Sequence, residues 1–200
     1  MYNAVSNITA PVAIQGQFWL YTCPMAEKVT IFIDGGNLYK RLKERGVLPG
    51  KRFNYAKLID FLLRGRSLSS KRYYVGAVRN YDQTARSQEM VEAQQKFLSA
   101  LELQGFLIER GRIVYDHKIR EKGVDVKIAI DLVIGSVENE YDTAVVVSSD
   151  TDLIPAIKYV ISRGKKVEYA GFAERPSLGL ARESSLSVLL LPDDVSRMAN

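Results

Sequence analysis

The sequence V-T-I-F-I-D-G-G-N-L-Y, residues 29–39, predicts a short buried β-strand that ends at Asp34 and leads into a helix. Most of the strand residues are β-branched or aromatic, which is typical of a strand covered on both faces. Ligands of α/β proteins bind outside the carboxyl ends of the strands, which is where Asp34 is expected to lie. Asn37 adds a second oxygen ligand at the start of the expected helix, residues 38–45. Both side chains could instead cap this helix, so their function depends on partners elsewhere in the chain.

The composition indicates one globular domain. The chain has 200 residues, of which 46% are hydrophobic and 26% charged, so it is neither disordered nor a membrane protein. No apolar run is long enough to span a bilayer, and we expect no membrane partner. The single cysteine, Cys23, excludes an intrachain disulfide and a cysteine-built zinc site, and the single histidine, His117, argues against a Ser-His-Asp triad. Scarcity of cysteine is compatible with a reducing cytoplasm, the location that we expect.

Basic residues are concentrated in one part of the chain. The net charge is +5, yet residues 40–79 contain twelve basic and two acidic side chains and carry +10. The remainder of the chain therefore carries −5. This division predicts a basic surface beside an acidic site, as a polyanionic substrate would require. An ordinary solvated surface rich in lysine and arginine is the alternative.

The chain divides into an arm and a domain. Residues 1–26 contain no charged side chain and lack both the basic start and the continuous apolar centre of a secretory signal. We expect a flexible arm, or an extension ahead of a natural start at Met25, although Phe18 to Tyr21 could dock on the domain or on a partner. The domain occupies residues 27–200, with residues 176–200 as a C-terminal element at the sheet edge that could support a homodimer.

Strands and helices alternate along the domain. Such alternation predicts βαβ units with a mainly parallel sheet and right-handed crossovers. Between these elements we expect a polar loop at residues 65–70 and a charged loop at residues 116–123. After the opening strand and helix, the expected helices are 54–63, 82–104, 124–137, 152–163 and 176–182, and the expected strands are 71–78, 106–114 (one bent strand or a pair), 144–147, 166–170 and 188–191.

Two more acidic segments follow the pattern of Asp34. In K-G-V-D-V-K-I-A-I-D-L, residues 122–132, Asp125 lies in the first turn of a helix, where the helix dipole favours an acid. Asp131 is about 240° further around that helix, so the two cannot share a face, and Asp125 is the better site candidate. In A-V-V-V-S-S-D-T-D, residues 144–152, Asp150 and Asp152 follow another buried strand. Capping could explain one such segment, but it is a poor explanation for three.

Together these residues predict an oxygen-rich cleft without cysteine or histidine. Such ligands suit Mg²⁺ or Mn²⁺, and several carboxylates in one cleft repel one another unless a cation is present. A hard divalent ion can activate water and stabilise charge on a phosphoryl oxygen, so phosphodiester hydrolysis is the expected reaction. The candidate metal ligands are Asp34, Asp125, Asp150 and Asp152. The candidate nucleic-acid contacts are Lys40, Arg41, Lys43, Lys122, Lys127, Ser148 and Ser149.

The three motifs F-I-D-G-G-N-L-Y, K-G-V-D-V-K-I-A-I-D-L and V-V-S-S-D-T-D-L-I-P, in this order, resemble the NYN domain family and in particular its LabA-like branch. This family belongs to the PIN-like nucleases, and the resemblance covers residues 28–170. It implies a Rossmann-like three-layer α/β/α sandwich and a metal-dependent ribonuclease site. Position by position, the family's site residues correspond to Asp34, Asn37, Asp125, Asp150 and Asp152. Ser149 stands where the family usually has glycine.

The leading hypothesis is a divalent-metal-dependent endoribonuclease acting on single-stranded or structured RNA. Asp34, Asp125 and Asp150 would hold the metal, Asp152 would assist a second metal or the attacking water, and Asn37 would orient a ligand. The alternative is a catalytically inactive RNA-binding or regulatory module. A phosphatase of the haloacid dehalogenase type is disfavoured, because Gly36 occupies the place of its second acid.

Four tyrosines are candidates for stacking on RNA bases. At least one of the two on the expected strand 71–78 is better explained as a core residue. The four are Tyr39, Tyr73, Tyr74 and Tyr81.

Overall fold

A computed structural model describes residues 26–48, 53–76, 84–116 and 118–199, with the backbone alone described for residues 112–122. The expected flexible arm, apart from Ala26, and the candidate stacking residue Tyr81 lie outside these ranges. None of the helices within them combines the length and the apolar character that crossing a membrane requires.

Six parallel strands form the central sheet, in the order β3-β2-β1-β6-β7-β8. Their bounds are β1 Lys28–Asp34, β2 Ser67–Val75, β3 Leu107–Arg110, β6 Thr143–Val147, β7 Lys166–Phe172 and β8 Leu186–Leu190. Two further strands, β4 Arg112–Asp116 and β5 Lys118–Lys122, form a separate antiparallel hairpin. The predicted mainly parallel sheet is therefore confirmed.

Helices cover both faces of this sheet. The helices within the described residues are α1 Gly35–Glu44, α2 Tyr55–Leu63, α3 Ala85–Glu102, α4 Val124–Val137, α5 Ile154–Ser162, α6 Leu178–Glu183 and α7 Pro192–Met198. One hydrophobic cluster joins the sheet to α1, α2, α3 and α7, and a second joins it to α4, α5 and α6. This is the three-layer α/β/α arrangement that the family resemblance implies.

Strand β1 lies at the centre of both clusters. Every one of its residues from Val29 to Asp34 is buried. Ile31 and Ile33 face the α1 and α2 layer, whereas Phe32 faces the other layer, where its ring contacts those of Tyr74 and Tyr141. The alternation of strand side chains thus places one half of the β1 residues in each core.

Two predicted loops are strands. Residues 67–70 belong to β2 rather than to a loop, because their backbone pairs with β1 and the Ser70 hydroxyl hydrogen bonds to that of Thr30 (3.2 Å). Asp116 and residues 118–122 belong to β4 and β5 of the hairpin rather than to a charged loop, and His117 lies outside the described residues. The expected strand 106–114 is divided at Gly111, whose N–H donates to the Val75 carbonyl (3.0 Å), and α7 was not predicted. Polar composition concealed both: residues 67–70 pair with a strand about 40 residues earlier, whereas β4 and β5 pair with each other.

Candidate active site

The predicted site lies at the carboxyl ends of the two central strands, β1 and β6. Strand β1 leads through α1 to the helical layer on one face, and β6 leads to α5 on the other face. Connections that leave adjacent strands toward opposite faces open a crevice between them, which is where open α/β sheets bind ligands. Asp34 ends β1, and Ser148 to Asp152 follow β6 directly.

Asp34 is buried, with only 7% of its surface exposed. Its Oδ1 accepts the Asn37 backbone N–H (2.9 Å), so it caps α1, and its Oδ2 accepts the Ser148 hydroxyl (2.9 Å). Burial raises the pKa of Asp34 and the charge of Asp150 raises it further, while these two hydrogen bonds oppose the rise. Asp34 can thus cap α1 and belong to the acidic site at the same time.

Gly35 allows α1 to begin directly after Asp34. A Cβ atom at this position would lie 2.5 Å from the buried ring of Tyr73. Real side chains do not tolerate such a distance, so a residue other than glycine would displace the start of α1 or the ring. The sequence therefore fixes the place of Asp34 through its neighbour as well as through its own hydrogen bonds.

The segment after β6 folds back on itself through short hydrogen bonds. The buried Ser148 hydroxyl accepts the Asp150 N–H (3.1 Å), and Asp150 Oδ1 accepts the Asp152 N–H (2.9 Å) at a single 3-10 turn, Thr151–Leu153. Asp150 is half-buried and Asp152 is exposed. Ser148 consequently links Asp34 to the backbone that carries Asp150.

Asn37 and Ser149 form a reciprocal pair. The Asn37 amide donates to the Ser149 hydroxyl (2.8 Å), which donates back to the Asn37 carbonyl oxygen (3.1 Å). A glycine at position 149 could not make this link between α1 and the end of β6. The proposed contacts of Ser148 and Ser149 with nucleic acid stay predictions, since both hydroxyls are here engaged by site residues.

Asp125 enters the site from α4. This helix has the predicted bounds, 124–137, and begins after Gly123, whose φ of 92° favours glycine. Burial raises the pKa of the half-buried Asp125 carboxyl, and the charges of Asp150, Asp34 and Asp152 raise it further. Asp125 therefore lies close enough to the other three predicted acids to be repelled by them, although three separate segments carry the four.

The acidic set has the donor chemistry of a magnesium or manganese site but not a preformed coordination shell. Within the described ranges, none of the four carboxylates makes an ion pair, and no three acidic, histidine or cysteine side chains are spaced to hold one ion as they stand. All the donors are oxygen atoms, which suit a hard divalent cation. A cation would relieve the repulsion between them, and binding it would require the acids to move closer together.

Asp131 turns away from the site, as its position on α4 predicts. It is buried and accepts the Tyr74 hydroxyl (2.9 Å) and the Lys127 amine (2.8 and 2.9 Å). The Lys127 amine also lies 3.3 Å from Glu109. A phosphate contact by Lys127 remains a prediction, and it would require Lys127 to break its ion pairs with Asp131 and Glu109.

The basic segment 40–79 is not one surface, and this part of the prediction is wrong. Arg64 and Arg66 bind Glu168 near the amino end of β7. Arg72 of β2 binds Glu140 (2.7 Å), which lies in the turn between α4 and β6. These three cations neutralise buried or half-buried carboxylates. On α1, Arg41 lies beside Asn37 and Ser149 and 3.2 Å from Glu44, whereas Lys40 and Lys43 are exposed. Lys51, Arg52, Arg79 and the Lys122 side chain lie outside what the structure describes.

Sequence reasoning missed Arg175. It borders, with Arg41, a small notch beside Asn37 and Ser149 between α1 and the end of β7. Asp34 was chosen because it follows the carboxyl end of a strand, where α/β proteins bind ligands. Arg175 could have been chosen for the same reason, since it also follows the carboxyl end of a sheet strand. Of the stacking candidates, Tyr73 and Tyr74 are buried core residues and cannot stack on RNA, whereas Tyr39 on α1 is 47% exposed.

Comparisons with known proteins agree with this architecture. The family model described as the NYN domain matches residues 28–186. The fold is similar to the crystal structure of a protein of unknown function from Vibrio parahaemolyticus, with a TM-score of 0.64 and 21% sequence identity over 85% of this chain and 96% of that one. The comparison with curated proteins gave no match. At 21% identity, the structural likeness concerns the fold alone.

Proposed function

The chain belongs to the NYN domain family, and on this premise we propose that it is a divalent-metal-dependent ribonuclease of the LabA-like branch. The NYN domain has a PIN-like nuclease fold, and the three-layer sandwich of this chain is of that kind. One observation carries the proposal: Asp34 and Asp125 lie at a single sheet edge where neighbouring acids raise their pKa, and neither has a cationic partner among the described residues. Clustered acids with raised pKa values are typical of functional sites.

Asp34, Asp125 and Asp150 would hold Mg²⁺ or Mn²⁺, and Asp152 would assist with a second ion or the attacking water. A bound divalent ion would activate water and stabilise charge on a phosphoryl oxygen. The chain itself supplies the orientation of the ligands. The Asn37 N–H and the Ser148 hydroxyl fix the two oxygens of Asp34, and the Asn37 side chain, held by Ser149, would orient a substrate oxygen or water.

RNA is the substrate that we propose, cut internally in single-stranded or structured regions in the cytoplasm. The overall charge of +5 and the exposed cations on α1 favour binding to a phosphate backbone. Tyr39, half-exposed on the same helix, is available for stacking on a base. The residues proposed to contact phosphates are Lys40, Arg41, Lys43 and Lys122.

The test is Asp34→Asn. Asparagine caps a helix as well as aspartate does, so α1 should keep its start. We expect cleavage of an RNA pool with Mg²⁺ or Mn²⁺ to fall by more than about 100-fold, because even residues that only support a metal ligand cost 10–100-fold. Circular dichroism should be unchanged.

Asp60→Asn, at an exposed position of α2 away from the cleft, is the matched control and should cleave like the wild type. Cleavage that survives both Asp34→Asn and excess chelator would overturn the assignment.

A second candidate is an inactive RNA-binding or regulatory module. It is favoured by one observation, the absence within the described residues of three acids spaced to hold an ion together. This candidate predicts RNA binding that weakens steeply with salt and no cleavage with any divalent ion. Binding by Asp34→Asn equal to that of the wild type, with neither protein cutting RNA, would decide in its favour.

A further inference from the structure

Helix α4 exposes a row of aliphatic side chains. Their spacings of four, four and three residues place them within about 80° of one another around the helix, so they form one stripe. The charged residues of the helix are engaged elsewhere: Asp125 in the acidic site, and Lys127 with Asp131 in an ion pair. The stripe consists of Val126 (60% exposed), Ile130 (47%), Ile134 (44%) and Val137 (53%).

An outward apolar stripe of this kind is unusual on a surface helix. Surface helices normally bury one apolar stripe and present polar residues to solvent, whereas a helix that is apolar on all sides is covered on all sides. The inner side of α4 is already buried, through Val124, Ile128 and Leu132, against the sheet and α5. We therefore expect another segment to pack on the outer stripe.

The end of the stripe is followed by a turn that leads to the point where the N-terminal arm, residues 1–26, joins the domain. From Val137 a short turn leads to Asp142, whose N–H donates to the Lys28 carbonyl (2.9 Å) and whose carboxylate accepts the Lys28 N–H (2.8 Å). Ala26 is only two residues before Lys28. The loop that follows α4 and the first residue of β1 thus meet at the amino end of β1, two residues after Ala26.

The arm has the composition and the length to cover the stripe. It contains no charged side chain and carries the apolar run F-W-L-Y, residues 18–21. These four residues lie five to eight positions before Ala26, so they can reach roughly 17–28 Å from it. The stripe from Val126 to Val137 extends over about 17 Å of helix. The run can therefore reach the C-terminal half of the stripe, from Ile130 to Val137, which is the half nearest to Ala26.

A second copy of the chain fits the stripe less well. Four half-exposed aliphatic side chains fall far short of the roughly 800 Å² that each partner buries in a stable complex. A tethered segment needs less area, because its effective concentration is set by a short linker. We propose that residues 18–21 of the arm pack in cis on the α4 stripe.

Trp19 is the only tryptophan of the chain and reports on this contact directly. In the full-length protein we expect blue-shifted emission, protection from iodide quenching and no dependence on protein concentration. Ile130→Glu and, independently, Ile134→Glu should shift the emission to longer wavelength and remove the protection. Leu103→Glu, at a 91% exposed position at the end of α3, is the control and should change neither.

Unchanged circular dichroism would show that each variant folds, and having two variants guards against the failure of one. Trp19 emission typical of solvent in the wild type, or protection that persists in both folded variants, would overturn the proposal. Protection that appears only as the protein dimerises would also overturn it, since a second copy would then cover the stripe.

Discussion

Two pairs of acids in this protein have opposite surroundings. Glu168 is buried and accepts hydrogen bonds from both Arg64 (2.6 Å to each oxygen) and Arg66 (2.8 and 2.9 Å). Asp131 is buried and held by Lys127 and Tyr74. Asp34 and Asp125, by contrast, receive no cation from the described part of the chain, and neighbouring acids raise their pKa further than burial does alone.

This difference separates the structural acids from those of the candidate site. Burying a carboxylate is unfavourable unless a cation or hydrogen bonds compensate, and Glu168 and Asp131 are compensated within the fold. Asp34 and Asp125 have only hydrogen bonds to set against burial and mutual repulsion. Glu168 and Asp34 are both buried, so burial does not distinguish them. They differ because Glu168 has cationic partners and Asp34 has none among the described residues. The missing charge is what a divalent ion would supply.

Removing a structural acid should have the largest effect on stability. Glu168→Gln leaves Arg66, which is 15% exposed, and Arg64 without their shared carboxylate. Breaking a buried ion pair costs about 3–5 kcal/mol, and because Arg64 is 42% exposed we expect the lower end, about 3 kcal/mol. Urea unfolding would measure this loss.

The matched substitution in the cleft, Asp34→Asn, should cause no such loss at neutral pH. It removes a repelled charge and keeps the helix cap. If Asp34→Asn destabilised the protein as much as Glu168→Gln does, the distinction between the two pairs would fail.

The sequence predicts the fold best where the pattern is local. The apolar run of β1 and the helix at 124–137 have the bounds that their residues indicate. Strand β2 extends over the polar residues 67–70 because β1, about 40 residues earlier, provides their hydrogen-bond partners. No short window of sequence contains that information.

The same limit applies to the site. Asp34 and Asp150 were identifiable because each follows an apolar strand, and parallel strands bring their carboxyl ends together. The pairing of Arg64 and Arg66 with Glu168 spans more than 100 residues, so nothing local reveals that these cations are already neutralised. Segment 40–79 was consequently predicted as one basic surface.

Adding a divalent cation should stabilise the cleft and leave the paired acids unaffected. A ligand that binds only the folded protein raises the free energy of unfolding by about 2.7 kcal/mol at one hundred times its dissociation constant. We expect Mn²⁺ or Mg²⁺ to raise the melting temperature of the wild type. The rise should be lost in Asp34→Asn and retained in Glu168→Gln, as differential scanning fluorimetry would show. An equal rise in all three proteins would mean that the ion binds elsewhere.

Removing one of the hydrogen bonds to Asp131 should have a smaller effect on stability. Tyr74→Phe removes one hydroxyl that donates to Asp131 (2.9 Å), while Lys127 continues to hold both carboxylate oxygens. The loss of one such bond costs about 1 kcal/mol. RNA cleavage should stay within a few-fold of the wild type, since Tyr74 contacts α4 through Asp131 and not through the four acids of the cleft. A large loss of cleavage at unchanged stability would place Asp131 within the functional set.

The pH dependence of stability should show the weakest but most specific difference. Burial, together with the charge of Asp150, raises the pKa of Asp34 in the folded state above its ordinary value. A carboxyl with a raised pKa favours folding when it is protonated, so its contribution is present below the ordinary pKa and is lost as the pH rises through the raised one. Asp34→Asn has no such group to titrate. Its free energy of unfolding, measured with urea in chelator, should therefore increase relative to that of the wild type between pH 4 and pH 7.

Asp125→Asn should show the same sign, because burial and neighbouring acids raise the pKa of Asp125 as well. A difference that stays constant over this range, or shrinks as the pH rises, would show that repulsion in the cleft does not act on folding.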